Sequence, residues 1–177
     1  MFSGQLPHYI EPRKLADQGG SLSGETTVSE LPRLNGITLS PGEPVRYDLR
    51  FARQDEESLR IVEGTITATL SMTCQRCLDA VAYPVQARVC LALVFSEDDI
   101  PALPERYDPW LITDERMSPV PLLEEELLLA LPLVAMHEQC PTDLPDVLVT
   151  EDEAPAATKA ENPFAILASL KNGRGHE

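Results

Sequence analysis

Thr65-Ile66-Thr67-Ala68-Thr69-Leu70-Ser71-Met72-Thr73-Cys74-Gln75-Arg76-Cys77-Leu78-Asp79 is the stretch from which the fold is read. Up to Met72 its even positions are apolar and its odd positions are threonine or serine, the period of a strand with one face buried. The pattern stops at the cysteines and resumes at Tyr83, where Val85, Ala87, Val89, Leu91, Leu93 and Phe95 alternate with Gln86, Arg88 and Cys90. Two such runs around a short polar interruption predict an antiparallel hairpin with the Cys-x-x-Cys at its tip. Upstream, Val45, Tyr47, Leu49 and Phe51 alternate with Arg46, Asp48 and Arg50, and Leu59 to Val62 reads as strand after the polar turn Gln54-Asp55-Glu56-Glu57. The hairpin is therefore part of a wider sheet.

Helical period appears downstream. Leu122-Leu123-Glu124-Glu125-Glu126-Leu127-Leu128-Leu129-Ala130-Leu131 consists of good helix formers with an apolar face at 123, 127 and 130 or 131, and Pro132 ends it. Val28, Leu31 and Leu34 stand at i, i+3 and i+6, which predicts a short helix over 26–34 closed by Asn35-Gly36. The fold class expected is α+β: an antiparallel sheet, with the long Cys-x-x-Cys hairpin, packed by one or two helices. Residues 1–25 lack a sustained period and read as a loosely packed arm, and 26–141 as the core domain. Residues 97–121, acidic and rich in proline, read as an excursion across the sheet, with Trp110 covering core. Residues 142–161, rich in Asp, Glu, Ala and Pro, read as a flexible tether, because so little apolar surface cannot offset the entropy of ordering. A C-terminal helical motif over 162–173 follows, with Asn162 as N-cap, Pro163 at N1, Lys171 in the last turn and Gly173 beyond. About ten residues of helix are marginal alone, so its apolar residues Phe164, Leu167, Ala168 and Leu170 are expected to dock on a partner.

The 177 residues carry 29 acidic and 14 basic side chains, a formal net charge of −15. The charge is concentrated: 97–157 holds 16 acidic and 2 basic residues, against 11 and 9 in 1–96. Such a field repels a phosphate backbone and steers basic proteins toward it. Neither a charged leader with an apolar stretch nor an apolar run of spanning length is evident, so a cytoplasmic protein without membrane contact is expected. In that compartment the four cysteines are thiols or metal ligands rather than disulfides.

Cys74-x-x-Cys77 and His137-x-x-Cys140 together make a Cys3His set. If the helix returns the chain to the hairpin tip, the four side chains can complete one tetrahedral structural Zn2+ shell. Isolated thiols are the competing reading. Redox chemistry is disfavoured because a reactive Cys-x-x-Cys normally opens a helix. Cys90 lies too far along its strand to share the ion and reads as a packing residue. The acidic runs Glu97-Asp98-Asp99 and Glu124-Glu125-Glu126 read as solvated faces, and no phosphate loop, serine elbow or His-Glu-x-x-His is present.

Cys74-Gln75-Arg76-Cys77-Leu78, the block from Glu125 to Val134 with His137 and Cys140-Pro141, and Asn162-Pro163-Phe164-Ala165-Ile166-Leu167-Ala168-Ser169-Leu170-Lys171 together resemble the YceD family. These are the large ribosomal RNA subunit accumulation proteins of bacteria and plastids. The resemblance runs over nearly the whole chain. It implies a non-enzymatic role in the synthesis, processing or accumulation of large-subunit rRNA, hence in ribosome biogenesis, with no catalytic residue and no small-molecule substrate. Together with the acidic field, it points to ribosomal proteins or rRNA-processing factors as partners. The alternative is direct rRNA binding through Arg46, Arg50, Arg53, Arg60, Arg76 and Arg88. A zinc-dependent enzyme is a weaker third reading, since a Cys3His shell leaves no open metal position.

Overall fold

The structure, a computed structural model, describes residues 2–54 and 59–140. Its elements in chain order are β1 (Phe2–Gly4), α1 (Pro12–Asp17), β2 (Ser21–Thr27), β3 (Pro44–Gln54), β4 (Leu59–Thr73), β5 (Ala80–Val94), β6 (Asp108–Leu111) and α2 (Val120–Ala130). The six strands form one sheet in the order β1-β2-β3-β4-β5-β6. β2 to β5 are antiparallel, while β1 joins β2 and β6 joins β5 in parallel. The class is α+β, as the alternating runs require.

Register aligns the apolar rows. Tyr47 stands beside Ile66 and Ile66 beside Ala87; Phe51 stands beside Val62 and Val62 beside Leu91. These side chains share one face, which α2 covers with Leu122, Leu123 and Leu127, α1 with Leu15 and Ala16, and the loop before β3 with Val28, Leu31 and Leu34. Burying each large apolar side chain contributes about 1.5–3 kcal/mol. Gly64 lets β3 approach β4 closely, since a Cβ there would run into the Asp48 carbonyl.

Several elements differ from the reading of the sequence. Residues 1–25 are no arm: β1, α1 and part of β2 lie there, and Ile10, Leu15, Ala16 and Leu22 are buried in the main core. Ile10 also exchanges two backbone hydrogen bonds with Met117, at 2.8 and 2.9 Å. Their apolar residues belong to different short elements, so no single period runs through them. The helix expected over 26–34 is instead the end of β2 followed by two 3-10 turns, Val28–Glu30 and Pro32–Leu34. A 3-10 turn has three residues, so an i, i+3, i+6 spacing is its own period. Pro32, awkward inside a helix, opens the second turn.

Glu124, read as part of a solvated face, is only 3% exposed, and its carboxylate accepts the Arg33 amide at 2.7 Å, tying α2 to the second 3-10 turn. Alternation also fails at Ile61-Val62 and from Leu91 to Val94, where consecutive residues are buried. There the excursion folds Tyr107 over the second face of the sheet, against Ile61 and Ala92. Among the described residues no helix is long and apolar enough to cross a membrane. The tether and the C-terminal motif, with Phe164, Leu167, Ala168 and Leu170, lie outside the described residues.

Candidate metal centre

β4 ends at Thr73 and β5 begins at Ala80, so both cysteines of the Cys-x-x-Cys fall in the connection. The Leu78 amide donates to the Cys74 carbonyl at 2.9 Å and the Cys74 amide to the Asp79 carbonyl at 2.8 Å. Closing so tight a turn places Leu78 at φ 66°, a left-handed conformation with a cost for a branched side chain. This curls the backbone around the Cys74 sulfur, which is fully buried.

The other two residues arrive from α2. After Leu131 and Pro132 the chain runs back to the tip, where the Gln75 amide donates to the Ala135 carbonyl at 2.8 Å. That contact sets His137 and Cys140 opposite the knuckle. The Cys77 Sγ lies 3.3 Å from His137 Nδ1, and the Cys74 Sγ lies 4.0 Å from the Cys140 Sγ. One donor atom from each of the four lies within 4.8 Å of all the others. A tetrahedral zinc shell requires about 3.8 Å between sulfurs and about 3.5 Å from sulfur to nitrogen, given Zn–S of about 2.3 Å and Zn–N of about 2.0 Å. The observed spacings fit an ion at the centre.

Protonation fits as well. His137 Nε2 is 3.1 Å from the Ala80 carbonyl, which can only accept, so Nε2 is the nitrogen that donates there and Nδ1 the one that faces the Cys77 sulfur. A ligating imidazole is commonly oriented by such a carbonyl. The backbone amides of Cys77, His137 and Arg76 converge on the Cys74 sulfur and pull its pKa down to about 5, the state a metal ligand needs. Burial, then the neighbouring sulfurs, push Cys140 up to about 11. Cys140 is therefore a thiol beside the Cys74 thiolate, and a divalent ion would have to displace its proton to be held by both.

The spacing of Cys74, Cys77, His137 and Cys140 thus identifies residues that the fold brings together. The Ala80 and Ala135 carbonyls that orient the group have no sequence signature, being main-chain atoms. Cys90 stands apart, its thiol donating to the Arg106 carbonyl at 3.2 Å, with burial raising its pKa.

The six arginines do not share a surface. Arg46, Arg50 and Arg88 lie on the sheet face opposite the main core, and Arg46 is already held by Glu25 at 2.8 Å. Arg53 and Arg60 are cross-strand neighbours in phase with the core rows, where Arg60 pairs with Asp17 of α1 at 2.7 Å. Arg76 is exposed on the knuckle.

No solved structure matches this chain. A "Large ribosomal RNA subunit accumulation protein YceD" from Haemophilus influenzae is 28% identical over 172 residues, covering 94% of this chain and 97% of the relative. The family model described as "Large ribosomal RNA subunit accumulation protein YceD" matches residues 62–171. That stretch runs from within β4 through the knuckle, α2 and all four clustered residues to the last residue of the C-terminal decamer. On this match the chain belongs to the YceD family.

Proposed function

We propose that this protein is a non-enzymatic factor in the synthesis, processing or accumulation of large-subunit rRNA in the cytoplasm, acting through protein partners. The observation that carries the reading is the near end-to-end match to a relative named for large ribosomal RNA subunit accumulation. The Cys3His group supports a structural Zn2+: the four residues would hold it, closing the knuckle onto the segment after α2. A filled four-ligand shell leaves no position for a substrate. The distribution of arginines supports protein partners over a continuous RNA track, because the six candidates are divided among two sheet faces and the knuckle. Phosphate binding requires several cations along one path.

The test is a deletion strain. Mature large-subunit rRNA falls relative to small-subunit rRNA, and the wild-type gene restores it. An unchanged ratio with normal subunit profiles rules the reading out.

A further inference from the structure

Between β6 and α2 lies a slot of about 230 Å³ that no part of the metal centre uses. Parallel pairing sets Asp108 beside Leu91 and Trp110 beside Leu93, on the sheet face that α2 covers. Glu125, Glu126 and Leu129 of α2 form the other wall, and the buried Leu91 and Leu122 the floor. Leu129 is 77% exposed at the rim of the slot. Among the described residues no lysine or arginine forms an ion pair with Asp108, Glu125 or Glu126. Burial and the like charges of Asp108 and Glu125 raise the Glu126 pKa. Among the described residues, three carboxylates are therefore crowded around an apolar floor without an ion-pair partner.

We infer that this slot is the docking site for a lysine or arginine side chain from an extended, basic segment of a partner protein. The methylene stem of such a side chain covers apolar surface while its head stays polar, which suits Leu129 and Leu122. The cation then sits between the indole of Trp110 and the carboxylates. The surroundings favour the same class of ligand: residues 97–140 carry eleven acidic side chains against Arg106 and Arg116, a field that draws in basic protein and repels RNA. The inference deepens the reading that partners are proteins, but its assay does not depend on rRNA levels, so either can fail alone.

Trp110 is the chain's single tryptophan, so its emission reports on the slot directly. The full chain is titrated with a short amidated peptide alternating arginine or lysine with leucine, with its counterpart carrying glutamine at the basic positions, and with an oligouridylate. The expected result is a saturable emission shift with the basic peptide alone. Glu125→Gln with Glu126→Gln should weaken binding about tenfold or more, whereas Asp98→Asn with Asp99→Asn, outside the slot, should change it less than about twofold. Leu129→Ser, altering an exposed side chain that the fold does not need, also weakens binding. Equal losses from the two carboxylate pairs, no change in Trp110 emission, or tighter binding of the oligouridylate would each overturn the inference.

Discussion

Among the described residues, twenty-three buried side chains, from Ile10 to Leu127, form the cluster beneath the sheet, whereas the knuckle has four of its own: Met72, Cys74, Val81 and Ala135. The first cluster draws on α1, α2, the 3-10 turns and the strands, so each large side chain has apolar neighbours on several sides. In the second, one of the four buried residues is itself a thiol, and the remaining contacts come from Cys77, Tyr83, Leu131 and Cys140. So little apolar surface cannot fix a tip that projects from the sheet. Where the hydrophobic effect runs short, coordination can supply the missing order, because metal binding free energy is then local folding free energy.

The largest effect expected from breaking this contrast is in the body. Phe51, fully buried, leaves a cavity when replaced by alanine. Phe51→Ala should cost about 3–5 kcal/mol, measured by urea unfolding, with or without chelator. A cost that appears only in chelated protein would show that body and knuckle are one cooperative unit.

Next comes the tip. Protein purified without chelator should contain about one zinc per chain, and Cys74→Ser should abolish it. Hydrogen exchange at the Gln75 and His137 amides should then accelerate strongly while the amide of Phe51 stays protected. Metal-free wild-type protein with both regions equally protected would remove coordination from the account and leave isolated thiols.

The smallest effect sharpens the comparison. Leu78 holds its left-handed conformation with its side chain 74% exposed, so it gains little from burial. Leu78→Gly should stabilise the tip by no more than about 1 kcal/mol, seen as slower exchange at Gln75 with unchanged urea stability of the body. A loss of stability would mean that the leucine packs on something at the tip after all.

The hairpin, the helix after it and the Cys3His group are legible in the sequence because each is written in side chains with a regular spacing. Ile66 to Met72 and Val85 to Val89 face one layer only, so alternation survives there; Ile61-Val62 and Leu91 to Val94 are buried on both faces, and the alternation is lost. β1 and α1 span 3 and 6 residues, too few to establish any period, and are defined by what they pair with. The 3-10 turns share their spacing with a short helix. Glu124 shows the same limit at a single position: three consecutive glutamates look alike until the fold places the Arg33 amide against one of them. The slot beside Trp110 is still less visible, since its carboxylates come from segments that only the parallel pairing of β6 brings together.

The order of strands in the sheet is the order in which they are synthesised. Each strand can find its neighbour as soon as the next strand is available. The metal centre breaks this rule, since Cys74 and Cys140 are 66 residues apart. Bringing such distant residues together costs about 2–3 kcal/mol more than closing the Cys74–Cys77 turn itself, by the logarithmic growth of loop entropy. During translation the knuckle can curl early, but it must wait, with one cysteine pair in place, until α2 has folded and carried His137 and Cys140 back. If zinc is bound there, its arrival would mark a finished domain.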